Sequence, residues 1–113
     1  MNETPLAAEV DCPSVKAMLD AGEDLLLVDC REPSELEIVR LQAATSLPMS
    51  QLELRGSELI EHRQRRVVVF CHLGVRSLHV ARWLRQNGFD LAQSMAGGID
   101  AWAQQIDPDL LRY

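Results

Sequence analysis

Two short apolar runs, Leu25-Leu26-Leu27-Val28 and Val67-Val68-Val69-Phe70, constrain this chain more than any other feature. Neither alternates apolar with polar residues, as a strand with one wet face does. Each has the length of a strand and is bounded by polar residues, so each reads as a strand buried on both faces. Such strands belong inside parallel sheets, where helices cover both sides and supply the crossover connections.

Helical patterns lie between and around the two runs. Residues 13–21 place Val15, Met18 and Leu19 at helical spacing, with Pro13 in the first turn and Gly22 as the stop. Residues 33–39 also open on a proline, and Glu35 sits where the helix dipole favours negative charge. Residues 44–47 suggest a short strand ended by Pro48, and 50–62 one or two short helices interrupted near Gly56. The clearest helix covers 77–86, with an inner stripe of Leu78, Ala81, Leu84 and the stem of Arg85, and Asn87-Gly88 as its stop. A weak strand at 91–95, a turn at Ala96-Gly97-Gly98 and a helix at 99–105 follow. Trp83 and Trp102 read as packing residues on their helices. Strands alternating with helices predict an α/β fold with a mostly parallel sheet and helices on both faces.

The chain of 113 residues is long enough for one hydrophobic core, so a single domain over 1–113 is expected. Hydrophobic residues at 47% and charged residues at 25% match a globular protein. No apolar run nears the roughly 20 residues that span a bilayer. The N-terminus is acidic and lacks a basic flank before an apolar block, so no signal peptide is expected and the cytoplasm is the expected address. A net charge of −6 argues against a nucleic-acid partner. The basic cluster Arg63, Arg65 and Arg66 reads as a solvated loop or helix end. Cys12, Cys30 and Cys71 form no CxxC pair and no Cys/His array, so neither a metal site nor a disulfide framework is expected. No organic cofactor is called for, and nothing in the pattern asks for more than a monomer.

Chemistry concentrates after the second run, at Cys71-His72-Leu73-Gly74-Val75-Arg76-Ser77. Sites in parallel sheets form at the carboxyl ends of strands, where loops lead into helix N-termini. Gly74 lets the backbone curl, and Ser77 or its neighbour opens the next helix. Backbone N–H groups in such a turn make an anion-binding nest, and the helix N-terminus adds positive potential. Arg76 is expected to add a full positive charge. All three favour thiolate over thiol, so Cys71 is expected to have a lowered pKa and to act as a nucleophile. His72 falls at the pocket mouth, and Leu73 and Val75 give that mouth an apolar rim. Asp29 and Arg31 end the first strand on the same sheet edge. They either hydrogen-bond the Cys71 loop and hold its shape or form an ordinary surface salt bridge. Cys30 is either a resolving thiol for an oxidised Cys71 or a small residue at a strand end.

The segment Cys71 to Ser77, a C-x-x-G-x-R-S loop after a VVVF strand, resembles the active-site loop of the rhodanese sulfurtransferases. Asp29-Cys30-Arg31-Glu32-Pro33-Ser34-Glu35 is similar to the family's D-x-R-E-P-x-E stretch, and Gly97-Gly98-Ile99-Asp100-Ala101-Trp102 to its G-G-x-x-A-W ending. Together the three span a motif-bearing core of about 10–105. The resemblance implies a five-stranded parallel sheet flanked by helices and a ping-pong transfer through a Cys71 persulfide. It assigns catalysis to Cys71 and substrate or loop contacts to Arg76, with the amides from Cys71 to Ser77 cradling the persulfide. The implied donor is thiosulfate, a polysulfide or a persulfide, and the implied acceptor is a thiol, cyanide or a sulfur-relay protein. Related domains that act on phosphate or arsenate have five residues between Cys and Arg; here there are four, His72 to Val75, which favours sulfur. A Cys-dependent phosphatase or arsenate reductase and a non-catalytic binding module stand as alternatives. The family's G-H-I-x-G-A-x-N-I-P stretch is replaced by Val39 to Pro48, without its glycine and histidine.

Overall fold

The two apolar runs form adjacent strands, β2 (Leu25–Asp29) and β4 (Arg66–Phe70), paired in parallel from Leu25 against Arg66 to Asp29 against Phe70. The computed structural model describes residues 6–113, so the first five residues of the acidic N-terminus lie outside it. Short strands complete the sheet: β1 (Glu9–Val10), β3 (Thr45–Ser46) and β5 (Ala92–Met95). The order is β1-β5-β4-β2-β3, all parallel, with β4 at the centre.

Side-chain alternation on the central strands feeds two separate cores. Val67, Val69 and Cys71 share one face with Val28 and Cys30, and Val68 and Phe70 share the other with Leu27. The first face is covered by α3 (Leu52–Arg55), a 3₁₀ segment (Gly56–His62) and α4 (Val75–Gln86), through Leu52, Leu59, Val80 and Leu84. The second is covered by α1 (Cys12–Asp20) and α5 (Gly98–Gln105), through Val15, Met18, Ile99 and Trp102. A strand whose two faces both meet helices gains from apolar residues at every position. That is why these runs do not alternate.

Local chemistry sets the helix starts. Asp11 caps α1 by accepting the Ser14 N–H at 2.8 Å. The short helix α2 (Pro33–Ile38) opens with a capping box between Glu32 and Glu35. The break expected near Gly56 marks the change from α3 to the 3₁₀ segment. A Cβ at Gly56 would come within 2.8 Å of the Trp83 ring. The inner stripe of α4 differs from expectation: Ser77, Val80, Ala81 and Leu84 are buried, while Leu78 is only half-buried. The helix begins at Val75 and Ser77 points inward, which sets the phase of every later turn. No helix among the described residues is long and apolar enough to cross a membrane.

Candidate active site

Cys71 directly follows the central strand, and the chain then turns sharply into α4. Gly74 makes this possible with φ of 101°, a left-handed conformation that a side chain would strain. The turn aims donors back at the sulfur. Cys71 Sγ accepts the N–H of Gly74 at 3.1 Å and of Ser77 at 3.3 Å, and Ser77 Oγ lies 3.4 Å away. The N-terminus of α5 holds the same loop from outside: Ile99 N–H donates to the Cys71 carbonyl at 2.8 Å and Asp100 N–H to the His72 carbonyl at 3.1 Å.

Cys30 continues the strand register next to Cys71 on the same face of the sheet, and both are buried. The Cys71 thiol is pushed well below its ordinary range, first by the Cys30 thiol acting as a donor, then by the Ser77 hydroxyl and the Ser77 and Gly74 N–H groups. Burial opposes this and loses. Cys30 is pushed strongly upward by the same contact and by burial. The shared contact therefore favours the anion on Cys71 and the proton on Cys30.

Arg76 departs from expectation. Its guanidinium is taken up by Glu35, with Nη1 at 2.6 Å from one carboxylate oxygen and Nη2 at 2.8 Å from the other. Glu35 also accepts the Tyr113 hydroxyl at 2.7 Å. Arg76 foremost, with help from Tyr113, holds the Glu35 carboxyl down to about 2 against its burial. The full positive charge expected beside Cys71 is thus neutralised.

Neither expectation for Asp29 and Arg31 describes what they do. They make no hydrogen bond to the Cys71 loop, and their pair is buried, with side chains 2% and 0% exposed. Arg31 donates to Asp29 at 2.7 Å, to the carbonyls of Val39 at 2.8 Å and Glu35 at 3.3 Å, and to the Tyr113 hydroxyl at 3.1 Å. A dry guanidinium needs an acceptor for each N–H, and the end of α2 supplies two carbonyls, that of Val39 and that of Glu35, the latter shared with the Val39 N–H. The pair anchors α2, and through Glu35 it positions Arg76.

Around the opening, His72 stacks on Tyr113 with ring centroids 3.8 Å apart, and its Nε2 lies 2.7 Å from the Tyr113 carbonyl. Leu73 and Val75 stand 58% and 79% exposed. With Cys71, His72 and Arg76 they line a depression of about 140 Å³.

Sequence reasoning missed three contributors: the Glu35 pairing, Tyr113 and Ser94. The last lies on β5, fully buried, with its hydroxyl 2.7 Å from that of Ser77. Counting protons assigns its part. When Ser77 gives its only hydroxyl proton to the Cys71 thiolate, its oxygen becomes the acceptor for Ser94, and both buried hydroxyl protons are used. When Cys71 is a thiol donating to Ser77, the direction reverses and the Ser94 proton loses that acceptor. Leaving a buried donor unpaired costs about 1–3 kcal/mol. Ser94→Ala is therefore expected to raise the midpoint of Cys71 alkylation by iodoacetamide by about one pH unit. The same substitution in a Ser77→Ala background is expected to move it no further. An unmoved midpoint in the Ser94→Ala chain would remove Ser94 from the site.

A family model described as Rhodanese-like domain matches residues 11–105. A protein named Sulfurtransferase from Allochromatium vinosum is 38% identical over 96 residues, covering 85% of this chain and 88% of that protein. The Adenylyltransferase and sulfurtransferase MOCS3 of Oryza sativa is 36% identical over 124 residues, with all of this chain against 28% of its length. Among solved structures, a rhodanese-related protein from Thermoplasma volcanium superimposes with a TM-score of 0.79 at 23% identity, over 95% of this chain and all of that one. The chain spans about a quarter of the length of the first curated relatives it matches.

Proposed function

The chain belongs to the rhodanese-like domain family, and from that premise we propose that it is a sulfurtransferase with Cys71 as the sulfur carrier. The observation that carries this reading is the set of donors aimed at one buried sulfur: two backbone N–H groups and the Ser77 hydroxyl. Donors so placed stabilise a sulfur anion, first as the thiolate and then as the persulfide.

In the first half-reaction the Cys71 thiolate attacks the outer sulfur of a sulfane donor. A sulfur–sulfur bond forms at Cys71, the donor's own bond breaks, and its electron pair leaves with the departing group. With thiosulfate that group is sulfite; with a persulfide or polysulfide it is a thiolate or a shorter polysulfide. In the second half-reaction an acceptor thiolate, or cyanide, attacks the outer persulfide sulfur and Cys71 departs as thiolate. A thiolate held this low in pKa is a good leaving group, which favours this step. Several relatives join adenylyltransferase and sulfurtransferase in their names, which supports a protein acceptor in a sulfur relay as well as small thiols. His72, Leu73, Val75 and Arg76 line the approach to Cys71, and Gly74 and Ser77 cradle its sulfur.

Intact mass of the reduced protein after exposure to thiosulfate or polysulfide tests the reading. The expected result is a gain of one sulfur atom that cyanide removes and that Cys71→Ser never acquires. Folded, reduced protein that gains nothing from either donor overturns it. Turnover of p-nitrophenyl phosphate dependent on Cys71 would then assign the site to phosphoryl chemistry.

A further inference from the structure

The charge around Cys71 bears on which donor the site takes. Arg76 is the cation of the Cys71 opening, and Glu35 neutralises it through two short hydrogen bonds. Arg31 behind it is neutralised by Asp29, and Arg112 on the far side by Asp100. The loop between Cys71 and Arg76 contributes His72, already engaged by Tyr113, and the apolar Leu73 and Val75. The Gly74 and Ser77 N–H groups are occupied by the Cys71 sulfur. With Cys71 as thiolate, the three charges of Cys71, Arg76 and Glu35 leave one net negative charge at the site of attack. The chain as a whole, these residues included, carries a net charge of −6.

A thiosulfate dianion meets net repulsion on this approach; the further cation near the rim, Arg82, lines the adjoining depression beside Leu73 and Val75 together with the Glu9 carboxylate. An organic persulfide, R–S–SH, carries no more than one negative charge on its reacting group, and its apolar portion fits a rim of Leu73 and Val75. We propose that this site loads from persulfides of low charge in preference to the thiosulfate dianion. The inference rests on the sulfurtransferase reading and names its donor class. The loading step balances without any further reagent. Cys71 thiolate attacks the outer sulfur of R–S–SH, the new bond gives Cys71–S–SH, and R–S⁻ leaves with the electrons of the broken bond. The donor's inner sulfur, which leaves as R–S⁻, is reduced as the Cys71 sulfur is oxidised.

Intrinsic reactivity differs between donors, so the decisive comparison is within each donor. Single-turnover loading of Cys71 would be followed by intact mass with thiosulfate and with the persulfide of an uncharged thiol such as 2-mercaptoethanol. The wild-type chain and Val75→Lys would be compared from low to high salt. Val75 is 79% exposed, so lysine there adds a cation at the rim without entering the core. One unit charge at close range changes a rate by roughly tenfold at a protein surface. Val75→Lys is expected to shift the thiosulfate-to-persulfide rate ratio about tenfold toward thiosulfate. In the wild type, salt is expected to speed thiosulfate loading by screening the repulsion and to leave persulfide loading nearly level. An unchanged ratio in Val75→Lys, or thiosulfate loading that slows with salt, overturns the donor preference. Failure of both donors to load Cys71 is a different result and overturns the sulfurtransferase reading itself.

Discussion

Arg31→Met is expected to lower the free energy of unfolding by about 3–5 kcal/mol. The substitution leaves the Asp29 carboxylate buried at 2% exposure with its guanidinium partner gone. It also strips hydrogen bonds from the carbonyls of Glu35 and Val39 and from the Tyr113 hydroxyl. Desolvating two charges is costly, so the intact pair adds little net stability, but removing one partner exposes the whole cost of the other. The double variant Asp29→Leu/Arg31→Met is accordingly expected to be more stable than Arg31→Met alone. Urea unfolding of the wild type, the single and the double variants measures this. Domains of this kind have only about 5–15 kcal/mol in total, so Arg31→Lys, which keeps the charge, supplies a folded intermediate case. A loss below 1 kcal/mol in Arg31→Met would mean that Asp29 finds water or another partner.

Gly98→Ala is expected to be the second severe change, and to act on rate as well as stability. Gly98 has φ of 62°, and a Cβ there would collide with the carbonyls of Cys71 and His72, coming within 2.6 Å of the His72 carbonyl carbon. These atoms are backbone and cannot rotate away as a side chain would. The collision also lies where Ile99 and Asp100 N–H groups hold the loop. Left-handed strain and overpacking together suggest a loss of roughly 2–5 kcal/mol. A displaced loop is expected to slow Cys71 loading at least tenfold, on the order of what small misplacements of reacting groups cost. Gly22→Ala is the control: its φ of 68° carries similar strain, but nothing lies within 4 Å of the added carbon. Thermal unfolding of both variants, with persulfide loading of each, separates strain from collision. Equal losses in the two would show that the contact with the loop does not matter.

Much of the fold was legible because its signals are local. Two doubly buried strands announce themselves by failing to alternate, and proline and glycine bracket most helices near their observed ends. Strand β1 was missed since two residues carry no periodicity. The Cys71 loop was legible because strand, cysteine, glycine and helix start are adjacent in the chain. What surrounds it was not. Glu35 and Arg76 are 41 residues apart, Ser77 and Ser94 are 17 apart, and Tyr113 lies 78 residues from Glu35. No spacing rule joins them; only the sheet order does, by bringing α2, β5 and the last turn to one edge. The charge on Arg76 was therefore predicted and its neutralisation was not.

Both outermost strands of the sheet, β1 and β3, are two residues long. An incoming extended chain would find only a short row of open hydrogen-bonding groups on either side, too little to template growth. The long, apolar strands that would recruit one another most readily, β2 and β4, lie side by side in the interior and pair chiefly with each other. Molecules of this kind are expected to stay dispersed when crowded and not to zip into fibres.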